Sequence, residues 1–326
     1  MSELSALAQQ VASATRAVSE TVHRHVTLTP LDSLHGTEDG GAELLLKREH
    51  QQKTGSFKVR GALAKVSGLS EDQRRRGVIT ASTGNHGAGF AYALNVLGGT
   101  GVVCVPEGAS PVKVAAIQRY GAEVRVLGQD PAETETLARR LAGTEGLPYV
   151  SPYNDLQVIA GQGTVGEEIV QQADGRQVDA VVVAVGGGGL VSGVAATVKS
   201  AWPHVRVIGA SPANDAAMAA SVRAGRVTEI DARPTISDAT AGGVEDEAIT
   251  LPLCAELVDE WALVEEAEIR SALRFVIDTE HQLVEGSAAV AVAAGLRAGR
   301  GRPGQTIAVV SCGANISADA LAAAIS

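Results

Sequence analysis

The sequence predicts a three-layer α/β fold with two parallel sheets, and three observations support this prediction. Short runs of Val, Ile and Leu alternate with amphipathic segments almost throughout, which is typical of parallel strands buried on both faces. The chain has 326 residues, more than one domain usually holds. Three glycine-bearing turns directly follow predicted strands, where α/β folds bind their ligands.

The first half of the chain alternates regularly between the two kinds of element. Segment 1–25 has the pattern of a polar amphipathic helix and lacks the basic and apolar regions of a signal peptide. The predicted strands are 43–49, 77–82, 100–106 and 122–128. The predicted helices begin near Ser56, at Asn85, near Val112 and at Pro131.

The second half repeats this alternation less regularly. Helices are predicted at 161–173 and 190–202, and strands at 178–186, 205–211 and 306–310. Segment 214–260 mixes Pro, Gly and acidic residues and gives the weakest pattern, and the acidic run 258–269 is typical of a solvated helix start. The domain prediction is a large domain of 1–48 and 149–326, with a small domain of 49–148 inserted between its two parts.

Composition excludes several classes of protein. A net charge of −10 argues against a nucleic-acid-binding face, which needs concentrated basic residues. Three scattered cysteines form neither a disulfide framework nor a zinc-binding pattern. The longest apolar runs fall short of the roughly 20 residues that a membrane span requires. We therefore expect a cytoplasmic protein that binds neither nucleic acid nor membrane.

The stretch "KTGSFKVRGALAK" (53–65) places Lys58 between Phe57 and Val59. A lysine amine becomes a good nucleophile and base when burial or a neighbouring cation lowers its pKa. Arg60 and Lys65 are candidate cations by sequence, unless the helix directs them away. The surroundings make Lys58 a candidate reactive amine, although most lysines are simply solvated.

The first glycine-bearing turn, "ASTGNHGAG" (81–89), follows a strand and opens a helix. Backbone N–H groups at a helix start are unpaired and attract a carboxylate or a phosphate. An ordinary capped turn, with Asn85 as the cap, is the alternative interpretation. The candidate binding residues of this turn are Ser82, Thr83, Gly84, Asn85 and His86.

The second turn, "VGGGGLVSG" (185–193), contains four consecutive glycines. So many glycines suggest that a ligand approaches the backbone closely. The G-x-G-x-x-G spacing of dinucleotide sites is absent, and no Lys-Ser or Lys-Thr pair follows as in a P-loop. A single phosphate is the ligand that remains.

In the third turn, "SCGAN" (311–315), Cys312 follows the last strand.

Three features can lie together at the carboxyl ends of parallel strands. They are a phosphate-binding glycine loop, a turn suited to a carboxylate and a lysine with bulky neighbours. A cofactor that is anchored by one phosphate and condenses with a lysine amine is pyridoxal 5′-phosphate, which acts as an electron sink.

The motifs "KTGSFKVRGA", "STGNHG", "VIAGQGT" (158–164), "GGGGLVSG" and "SCGAN" occur in the order seen in fold-type-II pyridoxal-phosphate enzymes. The chain resembles their serine/threonine dehydratase (ammonia-lyase) and serine racemase branch, from about residue 27 to the C-terminus. The resemblance implies the tryptophan-synthase-β-like fold and a homodimer. Segment 237–250 further resembles dehydratases of hydroxyectoine breakdown.

The resemblance also implies roles for individual residues. Lys58 matches the Schiff-base lysine, Phe57 the ring beneath the pyridine, and Asn85 the partner of the 3′-oxygen. Cys312 matches the group at the pyridine nitrogen, and Ala239 a small residue on the other face of the ring. The phosphate loop matches Gly186, Gly187, Gly188, Gly189 and Leu190, and the substrate carboxylate turn matches Ser82, Thr83, Gly84 and His86.

Two departures from the family pattern affect the expected chemistry. Ser211 and Ala217 stand where metal-dependent members carry carboxylates, so no metal site is expected, although Asp215 lies nearby. Thr83 stands where racemases place a serine as the second catalytic base, and its extra methyl group makes racemization less favourable. Lys58 and Thr83 are therefore the candidate catalytic residues.

The predicted activity is that of a lyase which converts a β-hydroxy-α-amino acid, of the L-threonine or L-serine type, to a 2-keto acid and ammonia. The alternatives are a lyase for 3-hydroxyaspartate or another substituted substrate, and a racemase. A catalytically inactive amino-acid sensor is the non-enzymatic alternative.

Overall fold

The computed structural model describes residues 4–37 and 40–326, which form a six-stranded and a three-stranded sheet. In chain order the strands are β1 (Leu31–Ser33), β2 (Glu43–Lys47), β3 (Val78–Ala81), β4 (Gly101–Val105), β5 (Glu123–Val126), β6 (Ala180–Ala184), β7 (Arg206–Pro212), β8 (Glu260–Val264) and β9 (Thr306–Val310). The larger sheet has the order β1-β2-β9-β6-β7-β8, and the smaller sheet the order β3-β4-β5.

All strand pairs are parallel except the pair of β1 and β2, which is antiparallel. The prediction of two parallel sheets is therefore correct except at this edge. A parallel pairing of β1 with β2 would need a long crossover connection, and the short link between these two strands cannot supply one. Every residue of β6 is buried, as expected for a central strand covered on both faces.

Helices pack around the sheets and connect their strands. They are α1 (Ala6–His23), α2 (Lys58–Ser67), α3 (Glu71–Arg76), α4 (Asn85–Leu97), α5 (Pro111–Gln118), α6 (Pro131–Glu145), α7 (Leu156–Gln172), α8 (Gly189–Ala201), α9 (Ala217–Ala224), α10 (Thr250–Leu257), α11 (Glu266–Phe275), α12 (Gly286–Gly299) and α13 (Ala318–Ile325). Within the described ranges, no helix combines the length and apolar character needed to cross a membrane.

Two elements differ from their sequence predictions. The acidic run 258–269 contains strand β8 before helix α11 begins. This strand lies at the edge of the larger sheet, and only its Ala262 and Val264 are buried. The exposed acidic residues in and beside this strand, Asp259, Glu260 and Glu265, hid its pattern. Helix α7 begins earlier than predicted, because the Asp155 carboxylate accepts hydrogen bonds from two backbone N–H groups of its first turn.

The parallel strands place the three glycine-bearing turns at their carboxyl ends. β3 leads through residues 82–84 into α4, and β6 leads through residues 185–188 into α8. The turn after β9 pairs with the start of α2, through an antiparallel bridge between Ser56 and Gly313. This bridge brings the lysine-bearing helix to the same edge as the turns.

Candidate active site

A single cavity of about 910 Å³ contains all the site residues predicted from the sequence. Its volume lies within the range of roughly 300–1,000 Å³ that is typical of small-molecule sites. The predicted residues that line it are Phe57, Lys58, Ser82, Thr83, Gly84, Asn85, His86, Gly186, Gly187, Gly188, Gly189, Leu190, Ala239 and Cys312.

Lys58 is the first residue of α2, and the backbone before it is anchored to the turn after β9. The Phe57 N–H donates to the Cys312 carbonyl oxygen at 3.1 Å. Lys58 Nζ donates to the Pro152 carbonyl oxygen at 2.9 Å and lies 5.3 Å from the centre of the Phe57 ring. Burial lowers the pKa of Lys58 to about 8, with partial opposition from Cys312, Glu285 and Glu135. Such an amine is partly neutral near neutral pH, so it can act as a base and nucleophile.

The two cations suggested by the sequence do not lower this pKa. The Arg60 side chain points away from the cavity and contacts Glu49 and Glu168. Lys65 Nζ pairs with Asp155 Oδ2 at 2.6 Å. The surrounding carboxylates neutralise both cations, and desolvation is therefore the cause of the lowered pKa.

The turn between β3 and α4 presents unpaired backbone donors to the cavity. The amides of Thr83, Asn85 and His86 have no hydrogen-bond acceptor within the described residues, whereas the Gly84 N–H donates to Ser82 Oγ at 3.2 Å. Unpaired N–H groups at the positive end of a helix bind a carboxylate. The alternative of a capped turn is wrong, because the residue at the cap position is Gly84 and the Asn85 side chain bonds elsewhere.

The His86 side chain is buried and its tautomer is set by its neighbours. The Thr80 hydroxyl donates its proton to the Val150 carbonyl oxygen at 2.7 Å. Thr80 Oγ1 therefore accepts from His86 Nε2, 3.0 Å away. Burial and the charge of Lys58 lower the pKa of His86 to about 3. The imidazole is thus neutral, with Nδ1 free to accept a hydrogen bond.

The glycine loop presents a second set of unpaired amides. No N–H group of residues 186–190 has an acceptor among the residues that the structure describes. The loop leads into α8, whose first turn adds its dipole, and Thr250 Oγ1 fixes the loop by donating to the Gly187 carbonyl oxygen at 2.8 Å. This arrangement suits a phosphate.

Neighbouring protein atoms and backbone conformation give a further reason for the glycines of this loop. A Cβ at Gly187 would lie 2.6 Å from the Tyr153 ring, and one at Gly186 would lie 2.8 Å from the Thr240 carbonyl oxygen. Gly188 has φ +86°, which disfavours a side chain at that position. Protein neighbours and backbone conformation therefore require these glycines, independently of any ligand.

Two site residues, Glu285 and Asn315, were not predicted from the sequence. Asn85 Nδ2 donates to Glu285 Oε1 at 2.8 Å, and Asn315 Nδ2 donates to Asn85 Oδ1 at 2.6 Å. These bonds fix the orientation of the Asn85 amide. Burial and Asp238 raise the pKa of Glu285 to about 7. Asn315 belongs to the "SCGAN" motif and could have been inferred, whereas no sequence pattern marks Glu285.

Cys312 lines the cavity as a buried thiol, and Ala239 lines it from the segment after β7. Burial and the nearby Glu285 raise the pKa of Cys312 well above its ordinary value. The thiol is therefore neutral and suits an unprotonated ring nitrogen better than a pyridinium, which prefers an anionic partner.

The region near Asp215 shows no cluster of metal ligands. Ser211 Oγ donates to the Val185 carbonyl oxygen at 2.9 Å, and Asp215 Oδ2 accepts from the Gly242 N–H at 2.9 Å. Across residues 4–37 and 40–326, no group of three or more His, Cys, Asp and Glu side chains is arranged to hold a metal ion.

The donor set of the cavity fits pyridoxal 5′-phosphate. The unpaired amides of residues 186–190 can hold its phosphate, and Lys58 can hold its aldehyde carbon. Phe57, Ala239 and Cys312 offer the apolar and neutral surroundings that an aromatic ring requires.

Comparisons with known proteins agree with this chemistry. The chain is 40% identical over 308 residues to an L-threonine ammonia-lyase of Thermotoga maritima, covering 94% of this chain and 75% of the relative. It is 40% identical to a catabolic L-threonine dehydratase of Escherichia coli, covering 77% of this chain and 76% of the relative.

Solved structures with a similar fold include a threonine deaminase and a serine racemase. The fold is similar to threonine deaminase isoform 2 from Solanum lycopersicum, with a TM-score of 0.92 at 32% identity, covering 99% of this chain and 93% of that one. A serine racemase from Dictyostelium discoideum has a TM-score of 0.84 at 32% identity, covering 94% and 98%.

The family match extends over most of the chain. Residues 22–313 match the pyridoxal-phosphate dependent enzymes, a range that includes every predicted site residue, four of the five motifs in full and the first three residues of the fifth. This protein belongs to the family of pyridoxal-phosphate dependent enzymes.

Proposed function

We propose that this protein is a pyridoxal-phosphate dependent ammonia-lyase that converts a β-hydroxy-α-amino acid, of the L-threonine or L-serine type, to a 2-keto acid and ammonia. The observation that carries the proposal is the convergence of Lys58, the amides of the 83–86 turn and the amides of residues 186–190 on one cavity. Relatives at 40% identity named as L-threonine ammonia-lyase and dehydratase support it.

Lys58 and the 83–86 turn act on different groups of the substrate. The amides of Thr83, Asn85 and His86 hold the substrate carboxylate, while the Lys58 amine, neutral in part at physiological pH, removes the proton from the α-carbon. The bound cofactor supplies an electron sink for the negative charge that develops there. The β-hydroxyl group leaves as water, and hydrolysis of the resulting enamine gives the keto acid and ammonia.

The remaining predicted residues position the cofactor. Asn85 is oriented by Glu285 and Asn315, so that its amide faces one fixed way. With the cofactor bound, Cys312 would provide a neutral contact for the ring nitrogen, and Phe57 and Ala239, which line the cavity, would pack against the ring. Gly186, Gly187, Gly188, Gly189 and Leu190 provide the phosphate-binding amides.

Keto-acid release from a panel of amino acids tests this function. The panel contains L-serine, L-threonine, 3-hydroxyaspartate, phenylserine and their D-forms. We expect turnover of at least one L-β-hydroxy amino acid, with equimolar ammonia and keto acid. A protein that binds the cofactor but turns over no member would favour the sensor alternative.

A racemase is the second candidate, because the half-buried Thr83 lines the cavity and could offer a hydroxyl group as an acid. β-Branching restricts its χ1 angle, and its methyl group occupies space in the turn. Thr83→Ser should raise D-serine formation relative to keto acid, whereas Thr83→Ala should retain most dehydration. Chiral chromatography of L-serine incubations measures both products. Abundant D-serine from the unmodified protein would replace the lyase assignment.

We further propose the domain division of 1–48 and 149–326 against 49–148. The smaller sheet lies within 78–126 and all strands of the larger sheet lie outside 49–148, which supports this division. A bridge from Ile79 to Tyr149 extends the smaller sheet to the proposed boundary. Family resemblance supports a homodimer, and light scattering of the purified protein tests it. The three scattered cysteines support a cytoplasmic location.

A further inference from the structure

The wall of the cavity nearest α6 carries charged groups that the proposed chemistry does not use. Arg139 Nη2 donates to Glu135 Oε1 at 2.8 Å and to Glu245 Oε2 at 2.7 Å. The Arg139 guanidinium also stacks on Tyr149, 4.4 Å from the ring centre. Glu135, Arg139 and Glu245 all line the cavity, and we call them the charged triad.

The charged triad lies close enough to the reactive amine to affect it. Glu135 is one of the three groups whose charge partly opposes the lowering of the Lys58 pKa. Burial and the neighbouring Glu245 raise the pKa of Glu135, although Arg139 opposes this shift. Two carboxyl groups therefore share one guanidinium, and the triad carries one net negative charge when both are ionised.

The cations of the cavity wall are already paired, apart from Lys58. Among the described residues that line the cavity, the Lys and Arg residues are Lys58, Lys113 and Arg139. Lys113 Nζ pairs with Asp238 Oδ2 at 2.6 Å, and Arg139 is held by its two carboxyl partners. No cation is left on this wall to bind a second carboxylate of a substrate.

We propose that the charged triad selects the group that the substrate carries on its β-carbon. It excludes a second carboxylate and accepts a neutral or cationic group that donates hydrogen bonds, such as a carboxamide or an ammonium. The inference rests on the proposed lyase function and narrows its substrate class. It disfavours 3-hydroxyaspartate, one of the alternatives left open by the sequence.

Two substrates of nearly the same shape test the proposal. L-threo-3-hydroxyasparagine and L-threo-3-hydroxyaspartate differ only in the amide that replaces the side-chain carboxylate. We expect kcat/KM for the amide to exceed that for the acid by about 100-fold or more, as measured by keto-acid release from the holoenzyme. Equal values, or a preference for the acid, would overturn the proposal.

Variants locate the origin of the preference. Glu135→Gln and Glu245→Gln should each reduce the ratio about tenfold, mainly through faster turnover of 3-hydroxyaspartate, since each removes one negative charge from the wall. Glu145→Gln makes the same chemical change on the same helix but lies outside the cavity lining, so it should leave the ratio unchanged. An unchanged ratio in both cavity variants would also overturn the proposal.

If the proposed lyase function is wrong, a separate measurement still tests the selectivity of the cavity. Turnover of L-threonine tests that function independently of the charged triad. If no β-hydroxy amino acid reacts, thermal shifts of the Lys58→Ala protein with the same two compounds decide the present inference. A larger stabilisation by the amide supports it, and an equal or larger stabilisation by the acid contradicts it.

Discussion

Lys58 and Arg60 stand two residues apart on α2, yet they occupy opposite electrostatic environments. Arg60 Nε and Nη2 bond both oxygens of Glu49 at 2.7 and 2.8 Å, and its Nη1 lies 2.8 Å from Glu168 Oε1. The Lys58 amine has a single hydrogen-bond partner within the described residues, the Pro152 carbonyl oxygen. Arg60 is fully buried and Lys58 is half-buried at the cavity wall, and only the guanidinium is paired with carboxylates.

The environment of Arg60 is a buried network that joins β2, α2 and α7. Lys47 Nζ pairs with Glu168 and donates to the Thr29 carbonyl oxygen at 2.6 Å. The four charged side chains, Lys47, Glu49, Arg60 and Glu168, are fully buried and balance in charge. Such pairing is required because a buried, uncompensated charge costs several kcal/mol.

The two environments shift the two pKa values in opposite directions. Burial by itself lowers the pKa of Arg60, but Glu49 and Glu168 outweigh it and raise the pKa above its ordinary value. Burial of Lys58 meets weaker opposition, and its pKa falls to about 8. Paired charge therefore holds the helix in place, whereas an unpaired amine at its start is reactive.

The largest expected effect is on activity, through loss of the unpaired amine. Lys58→Ala should reduce turnover by about a thousandfold or more, because it removes the base and the covalent attachment of the cofactor. Borohydride reduction and mass spectrometry should detect no cofactor adduct at this position. Lys65→Ala is the matched control, since that amine pairs with Asp155 outside the cavity. Normal turnover by Lys58→Ala would refute the site assignment.

Replacement of Arg60 should affect the stability of the fold. Arg60→Met leaves Glu49 and Glu168 without their guanidinium, and we expect the free energy of unfolding to fall by about 3–5 kcal/mol. Arg125→Met breaks an exposed pair with Glu123 and should cost less than about 1 kcal/mol. Denaturant titrations of the cofactor-free proteins measure both. Equal costs would show that the buried network does not stabilise α2.

A pH series tests whether the Lys58 amine is destabilised by burial. Its pKa is lowered from 10.5 to about 8 in the folded protein, so between these pH values the unfolded chain binds more protons at this group. Stability of the unmodified protein should therefore rise with pH across this window relative to Lys58→Met. Below pH 8 the difference should be constant, with the Met variant more stable. Parallel pH profiles in the cofactor-free proteins would contradict the lowered pKa.

The smallest expected effect is that of a chelator. EDTA should change activity little, because Ser211 and Ala217 supply no carboxylate and Asp215 already accepts from Gly242. Initial rates with and without EDTA measure this. A large loss that magnesium or calcium restores would show that Asp215 and backbone oxygens form a cation site.

Local patterns in the sequence were sufficient for most of the fold and for the central site residues. Helix α4 begins at the predicted residue, and the cores of seven strands were found because buried strands are continuous apolar runs, whereas β1 and β8 were not predicted. The three turns could be expected to meet, since parallel strands bring their carboxyl ends to one edge. Strand β8 was missed because exposed acidic residues begin it and flank it, namely Glu260, Asp259 and Glu265.

The sequence alone determined the fold class and the cofactor, and it predicted Lys58 as the reactive amine, because these follow from periodicity and from motifs that are contiguous in the chain. Only the tertiary structure decided the direction of Arg60, the pairing of Arg139 with Glu245 and the contact of Glu285 with Asn85. These partners come from distant segments, and packing of whole elements sets their distances. The proposed charge selectivity of the cavity depends on which cations are already paired, which no local pattern records.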